Sequence, residues 1–564
     1  MILDARQRES RSIPLLLFVL IVGYAVALVT NSYSVFNHTW DEAMHVAGGL
    51  ELLDRGTFTC EPQHPPLTRV AMALGPYFIA GSRFVPPRKE NCNTGHLYRL
   101  GNRILYSNGP YDGMLRFARL GNLPFLLLLL VTTWIWAGRT FGWWPAVAAS
   151  FFIATTPPML GNAGLATLDV SLVGLGITSI YLFCLWIENP SAWRSVALGA
   201  VSGMSIMAKF SAIPFLGVSF VAIALARWLT GLTGSEQTAI VTKKHLKTMV
   251  LGLVTLAAVF WISYGLRLDS LVVPDQPTRA TAAVDSDQGR NGLFLDFAER
   301  PLFPLFVREM VAGFRQVSRH NQRGHQTFLL GEISGKGWWY YYLVGLGIKT
   351  PIPLLILGLA GLGSLLWTSI RRADWRIAAP VYAFVAILAF ASFYSNINLG
   401  IRHVLILYPM LAIGAAHMVL ILARVQHGRT IAIGTVALLL IFQLASSVYA
   451  HPDNMAYFNL LAGPKPERIL LTADLDWGQD LKRLGHEVRQ RKIQKIAIAY
   501  NGSAQPELHL PAQVTRLKPN TRRSGWVAVS LWTLERSGTD YRWLKSYEPV
   551  TRIGRSIDLY FIPD

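Results

Sequence analysis

Charge is scarce in this chain. Of its 564 residues only 15% are Asp, Glu, Lys or Arg, against roughly 25% in a soluble globular protein. That shortage excludes a water-soluble fold with a charged surface all round. Acidic residues are scarcer still, 33 against 52 Lys and Arg. Cysteine is nearly absent, three residues with no CxxC pair. No HExxH occurs either, so no protein-built metal site is indicated. No internal repeat is evident, which withholds support from an inverted-repeat transporter. No basic domain with a recognisable motif is present, so the formal net charge of +19 does not read as a nucleic-acid footprint, and no nucleic-acid partner is expected.

What is present is apolar. Hydrophobic residues make up 52% of the chain, with 17 Trp and 27 Phe. A run of about 18 apolar residues crosses a bilayer as a helix. Such runs read at 13–30, 117–136, 144–160, 165–187, 195–210, 212–230, 249–268, 340–367, 376–394, 401–423 and 430–448, about eleven spans. The first follows Arg6, Arg8 and Arg11, and Ala25-Val26-Ala27 mimics a signal-peptide cleavage site. The run is long for a signal core, so it is expected to be retained as a span.

The basic residues orient the spans. With the N-terminus cytoplasmic, the inner loops hold Arg139; Arg194; Lys243, Lys244 and Lys247; Arg371, Arg372 and Arg376; and Arg424 with Arg429. That is the positive-inside pattern, and an odd count puts the C-terminus outside. Three large segments then share the outer side: 34–115, 269–338 and 449–564. The last reads as a small α/β domain: apolar "ILLTADL", an amphipathic stretch from Gly478 to Arg491, then "KIAIAY", "WVAVSLWTL" and "IDLYFI". The expected organisation is a mainly α, polytopic membrane module over 1–448 with an outer α/β domain over 449–564. Cys60 and Cys92 both fall in the first outer segment, where a disulfide or two separate thiols are open alternatives. Cys184 sits within an apolar run.

Several polar residues stand where solvation alone does not ask for them. Asp41 and Glu42 follow the first span in "NHTWDEAMHV". A carboxylate in a partly dry, outward-facing cavity accepts a proton from a hydroxyl, although acidic residues also favour the first turn of a helix. Asp169 lies near the outer end of the fourth span, where an ionisable residue is costly and functional by default. Lys209, between two apolar runs on the outer side, breaks the positive-inside bias and suits an anionic head group, unless it snorkels to the surface. "QHPPLTRV" places His64 and two prolines before a helix, with Arg69 in its first turns; Arg suits phosphate through bidentate bonding. "NLGIRHVLILYP" sets Arg402 and His403 at the outer end of the tenth span, and "GHQTFLLGEISGKGWWYYY" sets His325, Glu332 and Lys336 before the eighth, beside a Trp and Tyr cluster that fits an interfacial belt. "GEISGKG" is no P-loop: three residues, not four, separate the glycines, and Gly337 stands where Ser or Thr is required.

An acidic pair after the first span followed by "HPPLTR" resembles the start of the protein O-mannosyltransferases. The aminoarabinose–lipid A transferases are similar, with Lys-Pro-Pro at that place, and both have the C-type glycosyltransferase (GT-C) fold. "GIRHVLILYP" is similar to a later Arg-Tyr-x-x-Pro-type segment. "YFNLLAGP" and "DLDWGQDL" resemble segments of bacterial relatives of unassigned acceptor. The resemblance implies that Asp41 is the catalytic base with Glu42 its neighbour, that Asp169 is a second family acid, and that Arg69, Arg402 and Lys209 hold the phosphate of a donor. Arg69 falls where the mannosyltransferases place a lysine, His64 is not the lysine of the aminoarabinose enzymes, and His403 replaces the usual tyrosine. The C-terminal domain does not resemble the mannosyltransferases' β-trefoil. These departures leave the sugar and the acceptor open.

The expected function is inverting transfer of a sugar from a polyprenyl-phosphate donor to a hydroxyl of a protein, lipid or glycan, at the outer face of a bacterial inner membrane among membrane lipids. No cofactor is required by the resemblance, and a divalent ion near Asp41 and Asp169 stays open. The alternative is a membrane transporter or lipid flippase, which needs no base; a third reading is a non-catalytic scaffold that binds glycan through its C-terminal domain.

Overall fold

The structure is a computed structural model that describes residues 11–86, 92–107, 109–233, 242–264, 305–536 and 540–564. The chain is mainly helical, and each expected span coincides with a helix. Among the described residues, eight helices are long and apolar enough to cross a membrane: Ser12–Ser32, Tyr111–Phe141, Asp169–Glu188, Ala212–Leu232, Lys243–Ser263, Ile352–Arg372, Trp375–Tyr394 and Arg429–Ala450. The other three expected spans correspond to Trp143–Ala154, Ala192–Ala208 and Leu407–Ala423, of 12, 17 and 17 residues. This is a multi-pass membrane protein.

Burial sorts the helices into centre and rim. In the most apolar window of Asp169–Glu188, 83% of residues are buried, whereas none are in that of Lys243–Ser263. Exposed Val250, Leu253 and Val254 on the latter face a solvent as apolar as themselves, so lipid rather than packing accounts for them. Asp169 is therefore the first residue of the most enclosed of these spans.

Three span boundaries differ from the pattern. The run 340–367 is two helices, Tyr341–Lys349 and Ile352–Arg372, because Pro351 pushes the residue before it out of the helical region; Thr350 has ψ 132°. Residues 401–404 form a 3-10 turn ahead of Leu407–Ala423. The fourth span begins only at Asp169. Of the expected outer segment 269–338, the part through 304 lies outside the described residues.

The described residues of the expected outer segment 34–115 fold as a small helical layer: Glu42–Arg55, Pro66–Phe78, Thr94–Ser107 and the start of Tyr111–Leu120. The two prolines act as read, Pro65 extended at the N-cap and Pro66 opening the helix. Cys60 and Cys92 are joined in a disulfide. After the helix Leu305–Arg323 comes a short antiparallel hairpin of β1 (Thr327–Leu329) and β2 (Glu332–Ser334).

The C-terminal region carries a five-stranded mixed sheet in the order β4-β3-β5-β7-β6. Its strands are β3 (Lys495–Ala499), β4 (Gln513–Arg516), β5 (Gly525–Ser530), β6 (Thr551–Ile553) and β7 (Ile557–Ile562). β3 runs parallel to β4 and β5, and β7 antiparallel to β5 and β6. The amphipathic stretch is the helix Leu481–Gln490, which buries Leu481, Leu484 and Val488. "ILLTADL" is not a strand. It ends in a single helical turn, Thr472–Leu475, because it is docked on the membrane module rather than paired in the sheet: Leu470 and Leu471 are fully buried, the Leu330 amide bonds the Ile469 carbonyl, and buried Lys349 donates to the carbonyls of Met455 and Asp474.

Candidate active site

Four charged side chains from distant parts of the sequence meet where the helical layer of residues 34–115, the membrane module and the C-terminal region join. Asp41 is the N-cap of Glu42–Arg55. Its Oδ2 lies 3.3 Å from Arg402 Nη1, and Tyr98 donates to its Oδ1 at 3.3 Å. The same Arg402 nitrogen is 3.6 Å from Asp169 Oδ2. Lys209, at the C-cap of Ala192–Ala208, donates from Nζ to Asp169 Oδ1 at 2.6 Å. Two acids and two bases thus alternate: Asp41, Arg402, Asp169, Lys209.

Their exposures differ. The Asp169 side chain is 1% exposed, but Asp41, Lys209 and Arg402 are 20%, 14% and 13% exposed. Asp169 is enclosed, and the other three keep part of their surface accessible. Burial would lower the Arg402 guanidinium pKa, but Asp169 and Asp41 hold it above its ordinary value, so it is a permanent cation. Gly400 makes the turn that delivers it, with φ +92° and no room to spare: a Cβ there would sit 3.1 Å from Asp474 Oδ2.

Glu42, expected beside Asp41 in the chemistry, is enclosed and paired. It is fully buried. Its carboxylate pairs with Arg119, Nε to Oε1 at 2.8 Å and Nη2 to Oε2 at 2.9 Å. It also accepts from the Thr39 amide and hydroxyl at 2.7 and 3.1 Å and from the Ala166 amide at 2.8 Å. Burial would raise its pKa, yet Arg119 and these amides hold it below the usual carboxylate value. No oxygen is left for a substrate proton. What Glu42 does is tie the turn carrying Asp41 to the loop that leads into Asp169.

Arg69, expected on a phosphate, is also turned inward. It is 1% exposed, pairs with the Glu61 carboxylate through Nη2, and bonds the Glu61 carbonyl and His45 Nδ1 at 3.0 and 3.2 Å. His64 closes this group, its Nδ1 3.0 Å from Glu61 Oε2 and its ring 5.3 Å from that of His45. His403 follows Arg402 in the same turn, and burial together with Lys209 and Arg402 pushes its pKa well below the usual imidazole value; it is a neutral neighbour. His325 and Glu332 are exposed around the β1–β2 hairpin, and among the described residues no hydrogen bond or ion pair joins them to Asp41, Asp169, Lys209 or Arg402. No group of three or more His, Cys, Asp or Glu side chains suited to a metal occurs among the described residues.

Sequence reasoning missed Arg119, Glu61, Tyr98 and Trp477, whose ring lies 4.2 Å below the Arg402 guanidinium. Arg119 had a signal: it falls at the expected outer end of the run 117–136, the same anomaly that singled out Lys209. The others had none, since their partners lie far away in sequence.

No protein-family model matches the sequence, and no curated protein does. Solved structures with a similar course of the chain include ArnT, an aminoarabinose lipid A transferase, from Cupriavidus metallidurans bound to undecaprenyl phosphate. It is 16% identical, with 96% of this chain and 97% of that one covered, and the TM-score is 0.46. The oligosaccharyltransferase AglB from Archaeoglobus fulgidus, in complex with an inhibitory peptide and a dolichol-phosphate, is 12% identical over 95% and 72%, with TM-score 0.44. The A. fulgidus oligosaccharyltransferase tethered to an acceptor peptide is 10% identical over 95% and 72%, with TM-score 0.48.

Proposed function

We propose that this chain is an inverting glycosyltransferase that moves a sugar from a polyprenyl-phosphate carrier to an acceptor hydroxyl at the outer face of a bacterial inner membrane. The observation that supports it best is the convergence of part-exposed Asp41 with Arg402 and Lys209 at the end of the module's most buried helix. Such a site offers a proton acceptor beside two cations, next to apolar helices along which a polyprenyl tail can lie. A transporter needs the charges but not the part-exposed carboxylate beside them.

In the proposed reaction the carrier phosphate takes over Arg402 and Lys209, which frees Asp41. The acceptor oxygen attacks the anomeric carbon. The bond from that carbon to the phosphate oxygen breaks, and its electron pair leaves with the polyprenyl phosphate. Asp41 accepts the acceptor's proton. Preorganised positive charge on the leaving phosphate is the largest expected contribution, and direct displacement inverts the anomeric centre. Asp169 holds Lys209 and Arg402 in place. Arg402 and Lys209 supply the positive charge, so the reading calls for no metal. The N-terminus is then cytoplasmic and the C-terminal domain periplasmic.

The test is release of free polyprenyl phosphate from a panel of radiolabelled polyprenyl-phosphate sugars by purified protein, with a membrane extract as acceptor source. Release with one sugar supports the reading and identifies the donor. Release from none, by demonstrably folded protein, sinks it in favour of a transporter.

A further inference from the structure

In open sheets with parallel strands, ligands bind outside the carboxyl ends of those strands. Here β4, β3 and β5 run parallel, and the carboxyl ends of the adjacent β3 and β5 lead into Tyr500–Ser503 and Leu531. That edge faces the turn Asn37–Trp40, which carries Asp41. Asn37 Nδ2 donates to the Gly478 carbonyl at 2.6 Å, and Asn37 Oδ1 accepts from the Leu481 amide at 2.7 Å. The Trp40 amide donates to the Trp477 carbonyl at 3.1 Å. Ser503 Oγ lies 3.2 Å from the Thr39 carbonyl and 2.7 Å from that of Trp40. Gly478 is at φ +79°, and a Cβ there would meet the Asn501 carbonyl at 2.6 Å; the approach is as close as backbone allows.

The same segment reaches the other half of the site. The Trp477 ring, 6% exposed, supports Arg402 from below at 4.2 Å. Asp474 Oδ1 accepts from the Ile401 amide at 3.0 Å, one residue before Arg402.

We infer that the C-terminal domain is a clamp for the reacting groups and not a separate glycan-binding module: Ser503 positions Asp41 through its turn, and Trp477 positions Arg402 through its ring. The edge where such a domain would hold a ligand is filled by the membrane module's own turn. Trp477 and Ser503 are positioning residues, and they act on different partners. This inference rests on the reading of Asp41 and Arg402 given above.

The two contacts are separable in one experiment on the full-length protein in detergent, with undecaprenyl phosphate as the probe ligand. Ser503→Ala speeds hydrogen exchange of the amides at 39–42 about fivefold, the worth of one hydrogen bond, and leaves undecaprenyl phosphate affinity within twofold of wild type. Trp477→Leu weakens that affinity about tenfold through the lost cation–π support and speeds exchange at 400–403, while Trp477→Phe restores affinity to within threefold. Unchanged exchange in both variants overturns the clamp, as does Trp477→Phe binding no better than Trp477→Leu, or both variants losing affinity and protection to the same extent. If exchange shifts as described but the wild type binds no undecaprenyl phosphate, the clamp stands and the donor reading falls.

Discussion

Replacing Glu42 by Gln tests whether this residue is a strut or a reagent. The substitution keeps the shape and removes the charge. Arg119 is then a fully buried cation without its partner, since both side chains are completely enclosed. Breaking a buried ion pair from one side costs about 3–5 kcal/mol. The Thr39 and Ala166 amides keep at most one good acceptor between them, and a buried unpaired donor adds about 1–3 kcal/mol. A loss of about 4–8 kcal/mol in unfolding free energy is expected, measured by denaturant titration in detergent. Removing Arg119 as well, in Glu42→Gln/Arg119→Met, takes the stranded charge away. The double variant should therefore recover about 2 kcal/mol or more over the single one, a coupling characteristic of groups in one network. Any activity lost should return in proportion to stability. The reasoning is refuted if Glu42→Gln is as stable as wild type within about 1 kcal/mol yet transfers sugar a hundredfold more slowly, because that pattern belongs to a chemical role.

Two further outcomes follow from the site and its margin. Lys209→Met removes a charged donor to the carrier phosphate, worth about 1.5–3 kcal/mol, so undecaprenyl phosphate affinity should fall roughly 10- to 100-fold by direct binding measurement; an unchanged affinity would place the phosphate elsewhere. Acidification should loosen the interface around the Asn37–Trp40 turn: burial brings His38 down to about 4 and His509, which bonds Tyr106, also to about 4. A depressed imidazole binds fewer protons folded than unfolded, so its stability is present above about pH 6.5 and is lost as pH falls toward 4. His38 alone accounts for about 2 kcal/mol between pH 7.5 and 5, and denaturant titrations of wild type and His38→Gln that run parallel across that range would contradict it.

How much of this was legible beforehand depended on whether the signal was local. Span positions were legible because hydrocarbon requires continuous apolar runs; the break at Pro351 was readable too, but the surrounding apolarity masked it. Asp41, Asp169, Lys209 and Arg402 were found one at a time, as charges in places where charge is costly, and the fold brings all four together. Glu42 and Arg69 are buried and paired, which the sequence does not show, for a common reason. A buried, fully paired charge and an exposed, functional one look alike in sequence, and only their partners Arg119 and Glu61 tell them apart. "ILLTADL" has strand composition, but its backbone is claimed by Lys349 and the β1–β2 turn, a tertiary effect that composition does not carry. Trp477 was visible within "DLDWGQDL" without any indication that it lies against Arg402, 75 residues earlier.

The central claim is that Asp41 takes the acceptor proton while Arg402 and Lys209 hold the leaving phosphate. Its most direct test is transfer by Asp41→Asn at saturating donor, alongside undecaprenyl phosphate binding by the same protein. The account predicts a rate lower by roughly 10²–10⁴ with phosphate affinity within a few-fold of wild type. Near-native transfer by Asp41→Asn would contradict it.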